Sequence, residues 1–179
     1  MEERDRKALL TTARSAIEAR LGLRPEARLE GPTETGLGAF VTLRRRGELR
    51  GCRGILHSPV PLRETVAEAA VLSAFDDPRF PPVTRAEWPE IDVEVSVLYG
   101  VREVRDPAEI ELGVDGVLLE YGGRRGFLLP QVADELGRDR QRFLDALAMK
   151  AGLPPGAWKL PQARLLAFPV EHFGEADPT

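Results

Sequence analysis

The stretch Ala39 to Leu56, AFVTLRRRGELRGCRGIL, decides the fold. Ala39, Val41 and Leu43 alternate with Phe40, Thr42 and Arg44, the period of a strand with two different faces. Arg45-Arg46-Gly47-Glu48 is a break of the length of a bulged or longer hairpin loop, and a return strand follows. That return strand carries the single cysteine, Cys52, between Gly51 and Gly54. Two glycines three residues apart weaken a strand through entropy and lost packing, so they mark a bulge, a positive φ, or a close approach of a ligand or another backbone. Leu49 to Gly54 is therefore where chemistry or recognition is expected.

Outward from this hairpin, Glu2 to Leu21 has the spacing of an amphipathic helix, with Leu9, Ala13, Ala16, Ile17 and Leu21 on one side and Gly22 to stop it. Leu23 to Gly38 is a connection rich in Pro, Gly and charge, expected to cover something. Pro61 opens a second helix running to about Phe75, whose alanines suit close packing on a sheet. Thr84-Arg85-Ala86-Glu87 has capping-box spacing ahead of Trp88-Pro89. Ile91 to Val101 alternates as a strand with Glu94 on the face opposite the valines. Asp106-Pro107-Ala108-Glu109 predicts a capped turn, and Val114 to Tyr121 with Gly126 to Leu129 a second hairpin. A short helix over Gln131 to Leu136, a longer one from about Asp139 to Ala151 and a strand over Arg164 to Val170 complete the chain. Strands and helices mix without strict βαβ alternation, which predicts an α+β fold with a mixed, largely antiparallel sheet flanked by helices.

Leu49-Arg50-Gly51-Cys52-Arg53-Gly54 resembles the LRGCIG motif of the AMMECR-one domain family, the A component of the AmmeMemoRadiSam system. Further matches keep the family's order: Gly38 to Leu43, Asp77-Pro78-Arg79-Phe80-Pro81-Pro82-Val83, Glu94 to Leu98, and Phe127-Leu128-Leu129-Pro130-Gln131-Val132. The resemblance runs from about Leu9 to Phe173. It implies an α+β domain with a smaller lobe packed against the main sheet, the whole of residues 1–179 forming one such domain. It also implies partners, a Memo-like protein and a radical-SAM protein, the second of which would carry any radical chemistry. Arg53 departs from the pattern, standing where the family usually has isoleucine.

Composition narrows the function classes. With 179 residues and 42% hydrophobic content, the chain can bury a real core. Its 25 basic and 29 acidic residues give a net charge of −4, which offers no global footprint for nucleic acid or an anionic membrane. One cysteine cannot form an internal disulfide, no apolar run reaches the length of a spanning helix, and Met1 to Lys7 is charged throughout, so a cytoplasmic protein is expected. One cysteine and the distant His57 and His172 give no zinc spacing, and neither a phosphate loop nor a dinucleotide fingerprint is present. No metal or cofactor is expected.

Cys52 is the sharpest candidate for chemistry: a thiolate is a strong nucleophile, and neighbouring arginines favour it. The alternative is that Cys52 packs as a small hydrophobe. Asp77 and Glu94 are candidates for proton transfer, Asp77 being equally suited to accept backbone N–H groups or to pair with Arg79. Arg50, Gly51, Arg53, Gly54, His57 and Arg79 are candidate substrate-binding residues. Guanidinium and glycine N–H groups suit an anionic small molecule, and His57 suits a base if its loop folds back on Cys52. Arg44, Arg45 and Arg46 fit a solvated hairpin tip. Two functions are in view: a small enzyme or transfer component that uses Cys52, and a non-catalytic binding module in which Cys52 is structural.

Overall fold

The computed structural model describes residues 1–176 and contains four helices and seven strands. In chain order these are α1 (Glu3–Arg20), β1 (Gly38–Arg45), β2 (Glu48–Ile55), α2 (Leu62–Phe75), β3 (Ile91–Leu98), β4 (Arg102–Val104), β5 (Asp115–Tyr121), β6 (Arg124–Leu128), α3 (Gln131–Glu135), α4 (Arg140–Lys150) and β7 (Arg164–Gly174). The chain forms two compact units, one of Met1–Val97 with the stretch from Glu171, the other of Leu98–Val170. Strands and helices follow no strict βαβ alternation, and the β1–β2, β4–β7, β5–β6 and β5–β7 pairs are antiparallel, so the fold is α+β.

In the first unit β1 lies between β2 and β3, which leaves β2 at the edge, and β3 is bonded on its other side to β7. Helix α2 packs on β1 and β2, and α1 packs on α2. The interface is made of small and branched side chains: Val66, Ala69, Ala70 and Ala74 of α2, Val41 and Leu43 of β1, and Leu9, Ala13 and Ile17 of α1 are all buried. Each fully buried Val, Leu or Ile contributes on the order of 2 kcal/mol of apolar transfer, and the alanines let the helices approach closely.

The polar connection after α1 is pinned by two buried hydroxyls. The Thr12 hydroxyl exchanges hydrogen bonds with the Glu30 N–H (2.7 Å) and C=O (2.8 Å), and Ser15 does the same with Arg28 (2.8 and 2.9 Å). This segment thereby satisfies its backbone against helix side chains instead of a strand.

The second unit sets β5 between β6 and β7, with β4 on β7, and packs α4 on β5 and β6. Phe143, Leu144 and Leu147 of α4 meet Val117, Leu119, Leu165 and Ala167 of the strands in its core. The capped turn at Asp106 forms with both halves of its capping box.

Two elements differ from expectation. The strand beginning at Ile91 ends at Leu98, and the backbone turns at Gly100 (φ +33) before β4. β7 does not stop at Val170 but continues to Gly174, which brings His172 beside β3.

Candidate functional site

The hairpin turn is tight, with Arg45 opposite Glu48 and only Arg46 and Gly47 between them, both at positive φ (54° and 82°). The irregularity lies further along β2. Leu43 faces Gly51 and Arg44 faces Leu49, so Arg50 is the extra residue of a bulge. Its side chain is only 12% exposed, and its guanidinium meets Glu87 through two parallel bonds, Nε to Oε2 (3.0 Å) and Nη2 to Oε1 (2.9 Å). Nη2 also donates to the Pro81 carbonyl at 2.9 Å, while the buried Nη1 has no acceptor. The carboxylate found at Arg50 is thus the chain's own Glu87. Glu87 is held below the usual carboxylate range, first by Arg50 and further by the Thr84 N–H.

Cys52 sits at the edge of the sheet, half-buried. The Thr42 hydroxyl donates to its Sγ at 3.3 Å. Its outward backbone groups are taken by one ion pair: the Cys52 N–H donates to Asp77 Oδ2 at 2.9 Å, and Arg79 Nη2 donates to the Cys52 carbonyl at 3.2 Å. Arg79 closes on Asp77 with Nε to Oδ1 at 3.0 Å and Nη2 to Oδ2 at 2.7 Å, and its own N–H adds a bond to Oδ1 at 3.1 Å. Asp77 and Arg79 therefore stand in for a neighbouring strand at Cys52, covering an edge otherwise open to another chain. The Arg79 guanidinium, then the Cys52 and Arg79 N–H groups, hold the Asp77 carboxyl far below its ordinary range despite burial that pushes the other way. The Phe80 ring is flanked by both arginines, 5.4 Å from Arg79 and 5.9 Å from Arg50.

Both glycines of the motif mark close approach, and neither has a positive φ. A Cβ on Gly51 would stand 2.3 Å from the Ser73 carbonyl oxygen of α2, and one on Gly54 would stand 2.4 Å from both the Ala39 carbonyl oxygen and the Phe40 ring. Ser73 goes further into the hairpin. Its buried hydroxyl accepts the Arg53 N–H at 2.8 Å and donates to the Val41 carbonyl at 2.7 Å, bridging β1 and β2.

Glu94 belongs to a different set of contacts. Its Oε1 accepts from Arg44 Nε at 2.7 Å, its Oε2 lies 3.9 Å from His172 Nε2, and His172 Nδ1 is 3.0 Å from the Ser96 hydroxyl. Strand alternation puts Arg44 and Thr42 on one face of β1, so this group shares a sheet face with the Cys52 thiol without a described contact to it. His57 is exposed beside Gly36, with no described bond to Cys52. Arg53 is exposed and has no ion pair among the described residues. The structure thus joins Cys52, Asp77 and Arg79, sets Arg50 and Gly51 next to them in the bulge, and leaves Glu94, His57 and Arg53 outside that cluster. Among the described residues no group of three or more His, Cys, Asp or Glu side chains has the arrangement of a metal site.

A model of the AMMECR1 family matches residues 10–173. The chain belongs to the AMMECR1 family. A relative from Methanothermobacter thermautotrophicus is 44% identical over 179 residues, covering 94% of this chain and 93% of its own. Another, from Thermococcus kodakarensis, is 41% identical and covers 95% of this chain and 90% of its own. The crystal structure of an uncharacterized protein from Pyrococcus horikoshii matches with a TM-score of 0.88 at 36% identity, over 99% of this chain and 95% of that one.

In this AMMECR1 chain the residues that complete the site were not evident from the hairpin alone. Thr42 and Ser73 carry no charge to draw notice, Glu87 doubles as the far end of its capping box, and His172 lies beyond the apparent end of β7. The one available signal was the Glu87 carboxylate, ahead of Trp88-Pro89 in a loop facing a run of arginines. Chemically, the cluster offers a half-buried cysteine with a hydroxyl donor on its sulfur, and a guanidinium rigidly held at the adjoining carbonyl.

Proposed function

We propose that this AMMECR1-family protein is a small cytoplasmic enzyme or transfer component in which Cys52 is the nucleophile or covalent carrier for an anionic substrate. The observation that supports this most directly is the Thr42 hydroxyl donating to Cys52 Sγ at 3.3 Å, because that bond fixes the position of a nucleophile-type side chain at the edge of the sheet. Arg79, half-exposed and locked by Asp77, supplies positive charge beside the same residue and free N–H groups toward solvent. In this reading Asp77 is a positioning residue. A carboxylate that accepts four N–H bonds and is held far below its ordinary pKa has no proton to give near neutrality.

A second reading, a binding module that works with Memo-like and radical-SAM partners, draws support from a different observation. Asp77, Glu87 and Glu94 are each already paired with an arginine, which leaves no described acid or base in contact with the thiol. Alkylation at pH 7 separates the two. The carrier reading expects Cys52 to react with iodoacetamide faster in the native than in the urea-unfolded protein, to favour anionic iodoacetate relative to an unfolded control, and to slow in Thr42→Val. Alkylation that occurs only after unfolding makes Cys52 a packing residue and leaves the binding module.

A further inference from the structure

The tip of the β1–β2 hairpin carries a second arginine cluster, separate from the contacts around Cys52. Arg45, Arg46, Glu48, Leu49 and Arg50 line an open groove of about 510 Å³, a size within the range of small-molecule sites. Three of the five lining residues are arginines, delivered from three different backbone environments: the strand end, the turn and the bulge.

One feature of this tip costs stability and is unexplained by packing. It is not the φ of +54° at Arg46, which a two-residue hairpin turn requires at both of its central residues. Arg50 keeps a buried Nη1 amine without an acceptor although its other nitrogens are fully used, and a buried donor left unmet is unfavourable. The local charges balance: Glu48 faces Arg45 across the hairpin, Glu90 serves both Arg45 (2.9 Å) and Arg46 (3.0 Å), and Glu87 serves Arg50. Net charge is therefore not what would hold a ligand here. What the groove has in excess is directed N–H donors, because Arg45 and Arg46 share Glu90, Arg45 has only the more distant Glu87 (3.7 Å) besides, and each guanidinium has five donors.

We propose that this groove binds the phosphate group of a small phosphorylated ligand. A phosphate brings three strong acceptor oxygens and nearly two negative charges. It can draw Arg45 and Arg46 away from their shared Glu90 and offer an oxygen to Arg50, whereas a carboxylate brings no more than Glu90 already supplies. Leu49, 39% exposed on the groove wall, gives the rest of such a ligand an apolar surface.

The test uses the full chain and sodium phosphate as the probe, titrated at constant ionic strength set with sodium chloride and followed by isothermal calorimetry. Saturable binding in the millimolar range is expected, weakened roughly tenfold or more in Arg46→Gly, the loss expected for a charge-assisted bond. Arg46→Gly suits the positive φ, so its thermal midpoint should equal or exceed that of the parent, which separates loss of the site from loss of the fold. Arg45→Ala should weaken phosphate in the same way. The proposal is overturned if phosphate shows no saturable binding, if acetate binds as tightly, or if both variants bind phosphate like the parent.

Discussion

The Asp77 carboxylate accepts the main-chain N–H of Cys52 at 2.9 Å, twenty-five residues away in sequence. Because Asp77 is 4% exposed and its other oxygen is closed by Arg79, the contact fixes both the edge of the sheet and the loop that follows α2. Asp77→Ala leaves the Cys52 N–H without its acceptor and Arg79 without its partner. The half-exposed Arg79 returns to water at little cost, so the expected loss is about 2 kcal/mol, chiefly from the orphaned N–H and the opened loop. Urea unfolding measures it. Freeing this edge should also speed Cys52 alkylation; an unchanged rate would mean that the ion pair does not control access to the sulfur.

The same carboxylate makes stability pH-dependent in a definite direction. Its folded pKa is depressed below that of the unfolded chain, near 3.9, so its contribution is fully present above that value and is lost as pH falls below about 4, where the unfolded state takes up the proton first. Glu87 is shifted the same way by Arg50 and adds to the slope. Urea midpoints measured from pH 6 down to pH 2.5 should fall steeply in the parent and less steeply in Asp77→Asn, the two curves converging at the acid end. Curves that stay parallel would show that Asp77 does not carry this linkage.

Much of this architecture is legible from local pattern. The alternation in Ala39–Leu43, the alanine-rich helix before Phe75 and the polar breaks between segments identify the hairpin, α2 and the α+β class without any knowledge of contacts. That the return strand is irregular is legible from Gly51 and Gly54, but that the bulge falls on Arg50 is not, since a one-residue slip leaves no mark in composition. The sequence pattern ends β7 at Val170 because Glu171 and His172 interrupt its apolar alternation, and they are tolerated there because Glu171 pairs with Arg6 and His172 with Ser96. The motif's glycines read equally as ligand approach or backbone approach. Only the position of Ser73 separates the two, and that position depends on how α2 lies on the sheet.

For Gly51 the backbone approach sets the cost of substitution. A methyl group there meets the Ser73 carbonyl at 2.3 Å, and neither main chain can yield without opening the α2 contact with β2. Gly51→Ala should therefore cost about 2–3 kcal/mol. Gly47→Ala provides the contrast: nothing lies within 4 Å of a Cβ at that position, and only the positive φ of 82° opposes it, a penalty of roughly 1 kcal/mol. Denaturant midpoints of the two variants should fall in that order. The reverse order would mean that the helix adjusts easily and that turn strain dominates.

Ser73 makes the sharpest test of how the hairpin is joined to the helix. Its hydroxyl, in a residue 1% exposed, accepts the Arg53 N–H and donates to the Val41 carbonyl, two residues that face each other across β1 and β2. Ser73→Ala removes one oxygen and strands a donor and an acceptor together, at an expected cost of about 2 kcal/mol, with faster amide exchange at Arg53 than at other sheet positions. The alternative outcome is equally informative. If the Arg53 amide stays protected and stability hardly changes, the strands have closed over the gap and bonded to each other. Ser73 would then be a spacer that holds β2 apart at the residue after Cys52, rather than a strut, and the geometry around the thiol should change in the variant even though the fold survives.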